Sequence, residues 1–305
     1  MQGLIIINAY PNGEKFYRQA ERIAEELRAL GVETDVFRNG EVSAVVTAEG
    51  EVCALLPKNY AFAVYLDKDK YLGRLLEKTG LRLFNRAAAV EACDDKMTTY
   101  LALQGAGVPL VESIPAPLCY TPNASADTKF LKTVAETLGF PLVMKRSFGS
   151  FGMGVQLVHG MEELQKTEQE NLYQPHFYQR FVSESAGRDI RVIVIGGKAV
   201  GAMERVANAG EFRSNIELGG TGKKIALDER YAQTAERAAK ALGLDYCGVD
   251  LLQTGERGVV CEVNSNAFFE GLEATTGINI AQKYAQHILT TENVKRKCEN
   301  FSKIF

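Results

Sequence analysis

At 305 residues, 46% of them hydrophobic, the chain is long enough for two or three domains and needs no disulfide or metal staple to build a core. Thirty-five Lys and Arg against 38 Asp and Glu leave a formal charge of −3, and the basic run KRK at 295–297 is too short to coat a nucleic acid. The six cysteines (53, 93, 119, 247, 261 and 298) form no CxxC pair, and LIII (4–7) is too short for a signal h-region or a membrane span, so a reduced, soluble, cytoplasmic protein with no nucleic-acid or membrane partner is expected.

LIIIN (4–8), a helical period from Glu14 to Leu30, VETDVF (32–37), SAVVTA (43–48), FAVYLD (62–67), a helix near 69–79 and LRLFN (81–85) alternate strand with helix. That order predicts an α/β layer on a largely parallel sheet. RAAAVEACDDKMTTYLALQGAG (86–107) reads as helix, break and helix, and after PLVESI (109–114) the prolines 115, 117 and 122 mark a connecting loop. A small α+β unit follows: a helix at 127–138, PLVMKRS (141–147), a glycine loop, GVQLV (154–158), a helix near 161–170 and YQPHFYQRFV (173–182). The third unit opens with RDIRVIVIG (188–196) and KAVGAMERV (198–206), whose glycine turn predicts a long hairpin. After a loop at 207–222 come a helix at 228–242, the strands YCGVDLL (246–252) and GVVCEVN (258–264), and a helix at 278–290.

In VMKRSFGSFGMGV (143–155), Lys145 precedes Gly149, Gly152 and Gly154 between two strand-like runs. A P-loop has its lysine after the glycines and opens a helix, so this is either a tight hairpin or a loop whose bare amides approach phosphate. Two strands of the third unit carry polar residues that their apolar pattern does not call for: Asp250, and Glu262 with Asn264. Paired as a hairpin, they bring two carboxylates and an amide oxygen together, a donor set that suits Mg²⁺; a solvated face with scattered acids is the alternative. Arg188, Arg191, Arg205 and Arg213 offer planar forks for carboxylate or phosphate, although each by itself also fits a surface ion pair.

The order of these features resembles the ATP-grasp superfamily, and within it the RimK-like glutamate ligases. The resemblance runs from about Asp94 to Thr290 through DDKMTTYLAL (94–103), PLVMKRSFGSFGMGV (141–155), QRFVSESAGRDIRVIVIGGKAVGAMER (179–205), EFRSNIELGG (211–220), GVDLL (248–252) and CEVNSNAFFEGLEATTGINIA (261–281). It implies an ATP-grasp fold, α/β and α+β: a Rossmann-like lead domain over 1–94, a central lobe with a glycine-rich flap over 95–182, and a C-terminal lobe with a metal site over 183–305. ATP and Mg²⁺, with Mn²⁺ as a substitute, are the implied cofactors. Lys96 and Lys145 would meet the phosphates under a flap carrying Ser147, Gly149, Ser150 and Gly152, with Gln179, Arg180, Phe181 and Val182 receiving adenine and Asp189 the ribose. Asp250, Glu262 and Asn264 would hold metal, Arg213 and Asn215 would face the phosphate region, and Arg213, Arg205 and Lys145 would act in catalysis.

The implied reaction activates a carboxylate with the γ-phosphate of ATP and joins it to an amine, adding glutamate or another amino acid to a peptide, protein or small-molecule acceptor, with homo-oligomerisation open. A regulatory ATP-binding module without turnover, and a ligase of small building blocks resembling D-alanine ligases, are the alternatives. The chain departs from the family at Arg180, where members commonly carry Glu, and at SNAFFEG (265–271), where a small residue and then Pro-Gly are common. The reaction class therefore carries over, and the acceptor stays open.

Overall fold

The computed structural model describes residues 1–302, with side chains up to Asn293 except that of residue 217, so the basic run at 295–297 and Cys298 lie outside the described side chains. The first strands and helices are β1 (Gln2–Ile7), α1 (Lys15–Ala29), β2 (Glu33–Arg38), β3 (Ser43–Val46), β4 (Val52–Leu55), β5 (Phe62–Leu66), α2 (Lys70–Lys78) and β6 (Arg82–Phe84). A parallel sheet runs β2-β1-β5-β6. Its central strands are continuous apolar runs because both faces are covered: Leu4 and Ile6 face α2, while Ile5 and Ile7 pack with residues of α1 and the C-terminal helix. SAVVTA does not join this sheet. Its strand β3 turns back on β4 as a separate antiparallel hairpin, closed where the Gly50 amide donates to the Thr47 carbonyl.

The predicted break between α3 (Ala87–Asp94) and α4 (Lys96–Leu103) is a helix cap, with the Asp95 side chain accepting from the amides of Met97 and Thr98. Beyond it lie β7 (Ser113–Pro115), α5 (Thr128–Leu138), β8 (Leu142–Arg146), β9 (Val155–Val158), α6 (Met161–Asn171) and β10 (His176–Arg180), which build an antiparallel sheet in the order β7-β10-β8-β9. Under it, Leu131, Val134, Met144, Leu164 and Tyr178 form a compact core.

The remaining elements are β11 (Arg188–Ile195), β12 (Lys198–Val206), β13 (Thr221–Lys224), α7 (Glu229–Leu242), β14 (Tyr246–Leu252), β15 (Val259–Asn264), α8 (Glu270–Thr276) and α9 (Ile280–Ser302). Their antiparallel sheet runs β13-β12-β11-β14-β15. Gly196 and Gly197, both at positive φ, close the β11–β12 hairpin as the sequence predicts. The end of the stretch read as a loop is β13, an edge strand whose TGKK has no apolar alternation to announce it.

Asn85 joins the first sheet to the third. Its amide donates to the carbonyls of Tyr246 (2.7 Å) and Ser265 (2.8 Å), and its carbonyl accepts from the amides of Asp245 (2.7 Å) and Tyr246 (2.9 Å). The side chain is buried, so removing it strands backbone groups where water does not reach. Asn85→Ala should lower the unfolding free energy by roughly 3 kcal/mol or more in urea titration. Asn85→Asp, which cannot donate, should be no better.

Candidate active site

The glycine segment is the loop of the β8–β9 hairpin, whose last pair is Lys145 with Val155. Ser147 roots it: its amide donates to Pro175, its carbonyl accepts from the Lys96 amide, and its buried side chain stays out of the cavity beneath. Past that root the loop is held by polar contacts. Lys96 Nζ donates to the Gly149 carbonyl at 2.9 Å, Arg213 Nη1 to the Gly152 carbonyl at 3.0 Å, and Lys68 Nζ to Ser150 Oγ at 3.3 Å. Gly152 has positive φ, and a Cβ there would stand 3.0 Å from Asn215 Oδ1 and 3.1 Å from Leu218, so the loop approaches the third unit as closely as only glycine permits.

A cavity of about 240 Å³ and another of about 120 Å³ adjoin beneath this loop. The smaller one is lined by Lys96, Lys145 and the loop glycines 149 and 152, by Gln179–Val182 and Asp189, and by Arg205, Arg213, Asn215, Asp250 and Glu262. The side chains at the hinge point elsewhere. The Gln179 amide donates to Tyr100 Oη and Ser113 Oγ, both at 2.9 Å, and Arg180 donates to Glu112 and to the carbonyls of Thr137 and Leu138 at the end of α5. At positions 179 and 180 the hinge therefore leaves its main chain to the cavity, while Phe181, set against Phe212, and Val182 line it as well. Lys145 Nζ lies 3.2 Å from Cys261 Sγ; burial pushes that thiol up, with Lys145 acting against it.

Period-two alternation sets opposite charges across adjacent strands. Arg191 pairs with Asp250 and Asp189 with Arg205 in the ladder, Arg191 binds both Asp250 oxygens at 2.7 Å, and Arg205 reaches Asp250 at 2.9 Å as well as Asp189. Burial pushes the Asp250 carboxyl up, and the two guanidinium groups overcome it and hold the group below its ordinary value. Asp189, expected toward a ribose, thus lines the cavity while its carboxylate is held by Arg205.

Asp250 lies opposite Glu262 and Gly248 opposite Asn264, and Asn264 Nδ2 donates to Asp250 at 3.3 Å. Glu262 is partly exposed, 3.6 Å from Lys96 Nζ. Among the described residues no three His, Cys, Asp or Glu side chains gather as a metal cluster; Asp250 and Glu262 lie opposite one another with Asn264 beside them, carboxylates and an amide whose oxygens suit Mg²⁺ and not Zn²⁺, although Arg191 holds both Asp250 oxygens and Asn264 turns its nitrogen to Asp250. Asn264 opens on the larger cavity and Glu262 on both.

The larger cavity lies at the carboxyl ends of β1 and β5, where the order of the parallel sheet reverses. Asn8 and buried Asp67, each just past its strand, meet at 2.8 Å, and Asn39 donates to the other Asp67 oxygen at 2.7 Å. Neither residue belongs to a motif in the sequence. The available signal was a polar residue ending each of two apolar strands, LIIIN and FAVYLD.

Residues 94–288 match the RimK-like ATP-grasp domain family. The chain is 36% identical over 231 residues to beta-citrylglutamate synthase B of Danio rerio, covering 74% of this chain and 55% of that relative. It is 35% identical to a probable alpha-L-glutamate ligase of Thioalkalivibrio sulfidiphilus, covering 70% and 69%. Among solved structures, a RimK domain ATP-grasp protein of Sphaerobacter thermophilus superposes with a TM-score of 0.71 at 20% identity, over 93% of this chain and 98% of that one. The ATP-grasp ligase PsnB, complexed with a precursor variant, Mg and ADP, gives 0.66 at 18% identity over 94% and 97%. The chain belongs to the RimK-like ATP-grasp family and has the ATP-grasp fold. It spans little more than half the length of the first of these relatives. Among the described residues no helix is long and apolar enough to cross a membrane.

Glu211 orients Arg213 toward the loop, and the guanidinium lowers the Glu211 carboxyl to about 2. Because that value is depressed, the pairing is complete above the ordinary carboxyl range and is lost as pH falls toward 2. Glu211→Gln should speed amide exchange of residues 149–153 about three- to fivefold, leaving β11 and β14 unchanged in hydrogen-exchange mass spectrometry.

Proposed function

We propose that the chain is an ATP-dependent carboxylate–amine ligase. The observation that carries the proposal is the pairing of a cation-rich cavity beneath a glycine loop with a second cavity that shares Ser150, Phe151, Arg205, Asn215 and Glu262 with it. ATP lies along the residues that line the smaller cavity, with adenine against 180–182 and the phosphates under the loop, which opens to admit it. The γ-phosphoryl group passes to a carboxylate, giving ADP and an acyl phosphate; an amine then attacks the acyl carbon, and inorganic phosphate leaves as the amide forms. Such a transfer needs positioning and charge stabilisation more than a nucleophile.

Each residue has a share in that task. Lys96 and Lys145 meet phosphate oxygens, the loop amides close around them and exclude water, and Arg213, its Nε and Nη2 held by Glu211, turns Nη1 from the Gly152 carbonyl to the transferring group. Arg205, held by Asp189 and Asp250, is a fixed positive charge where the cavities join. Asp250, Glu262 and Asn264 would hold Mg²⁺, for which Mn²⁺ substitutes, and the ion would supply neutralisation of phosphate charge. The names of the relatives support L-glutamate as the amine. The domain division at 94 and 182 and a cytoplasmic location belong to the same reading.

ADP should appear only when a carboxylate and an amine are both present, as measured by coupled ADP release with mass spectrometry of the product. ADP release indifferent to either substrate would sink the ligase reading. Glu262 is the cleaner metal-site probe, because removing Asp250 would leave half-buried Arg191 without its carboxylate and take from buried Arg205 one of its two. Glu262→Ala should stay folded and lose activity at ordinary Mg²⁺. Arg213→Lys should lower kcat by about 10²-fold while ATP affinity changes much less, as compared by steady-state rates and nucleotide titration.

A further inference from the structure

Bringing a carboxylate to the γ-phosphate sets two anions side by side, and they repel one another unless a cation stands with them. Among the described residues three cationic side chains line the larger cavity, Lys68, Arg191 and Arg205, while Phe16, Phe151 and Phe268 meet as an apolar part of its wall. The two arginines are committed. Arg191 binds both oxygens of Asp250, and Arg205 is buried against Asp189 and Asp250, so parting them would leave charge in the interior without its partner. Lys68 is held differently. Its Nζ lies 2.8 Å from Asp94 Oδ1 and 3.3 Å from Ser150 Oγ, and both members of the ion pair keep solvent, with side chains 39% and 26% exposed. A pair that wet is worth little, so the ammonium can exchange it for another anion.

The stem of Lys68, by contrast, is fixed. Its amide donates to Asp67 Oδ1 at 2.7 Å; Asp67, itself buried, is held at Oδ1 by Asn8 as well and at Oδ2 by Asn39, and its carbonyl accepts from Asn266 Nδ2 at 3.1 Å. Residues that follow β1, β2 and β15 thus converge on the corner from which the side chain starts. Ser150 lines both cavities, so an ammonium 3.3 Å from its hydroxyl stands where they join. We infer that Lys68 is the residue that holds the reacting carboxylate: it exchanges Asp94 for one oxygen of the substrate and leaves the other oxygen to attack the γ-phosphorus. Asp94 is then a rival for the ammonium, neutralising it until a substrate arrives, and the nearby Ser150 sets the held carboxylate against the tip of the closed loop.

The inference rests on the ligase reading, and its tests separate the two. With the carboxylate that releases ADP, Lys68→Met should raise the KM for that carboxylate about tenfold or more while the KM for ATP moves less than about threefold, and Lys68→Arg should recover most of the loss. Asp94→Asn should act in the opposite direction, lowering the carboxylate KM about two- to fivefold, because the ammonium has lost its other partner. An ion pair that only braces the fold would be broken by both variants and move KM the same way; that result, or an unchanged carboxylate KM in Lys68→Met, overturns the inference. A second measurement needs no turnover. With Mg²⁺ and a non-hydrolysable ATP analogue, trace acetylation by acetic anhydride, read by peptide mass spectrometry, should modify Lys68 at most about half as fast in the presence of one of acetate, succinate, citrate, L-glutamate or a hexapeptide ending in Glu. Lys198, whose side chain is 80% exposed, serves as the unprotected reference. If one of these probes protects Lys68 and none releases ADP, the ligase reading fails and the carboxylate site stands. If a carboxylate releases ADP and leaves Lys68 unprotected, the ligase reading stands and this assignment fails, and protection by none of the probes also overturns it.

Discussion

Asp250 lies between the guanidinium groups of Arg191 and Arg205, with almost no solvent to share its charge. An ion removed from water this completely costs several kcal/mol, and the arrangement holds because each group answers another: Arg191 binds Asp250, and Arg205 binds both Asp250 and Asp189. Three neighbouring strands, β11, β12 and β14, are thereby held in one register at the wall shared by the two cavities. A slip by one residue would turn every charge to the other face and bury it among the aliphatic side chains beside α7.

Strand β11 shows how one sheet serves both a core and a site. Ile190, Val192 and Val194 face α7, while Asp189, Arg191, Ile193 and Ile195 share the opposite face. On that second face the charged half reaches the cavities and the aliphatic half packs beneath the first unit. Rigidity is thus supplied where charges must not move, and the glycine loop above carries mainly polar contacts that a phosphate chain can replace.

The alternation of strand and helix, the two long third-unit strands and the helix–break–helix of 86–107 are legible, because each is written in local periodicity, while the Asp95 cap at the break is seen only in the structure. By its sequence β3 falls in with the first sheet, and the first half of β13 falls in the loop at 207–222. Four-residue strands with little burial carry too weak a pattern to show whether they pair with the sheet or with a neighbour. Lys96, Lys145, Gly152, Asp250 and Glu262 were picked out from residue type, order and family resemblance, and the structure brings them around one cavity. Asn8, Asp67 and the engagement of Asp189 by Arg205 were not assigned, since each depends on which strands become neighbours.

By itself, the sequence determined the class of each element and the chemical character of the candidate site, because apolar period, glycine placement and charge lie along the chain. Tertiary structure alone decided which charges neutralise one another, that Gln179 and Arg180 turn their side chains away from the cavity, and that rings from positions 16, 151 and 268 meet. Those outcomes follow from contacts between residues far apart in sequence, whose partners are chosen only when the sheets and the loop are in place.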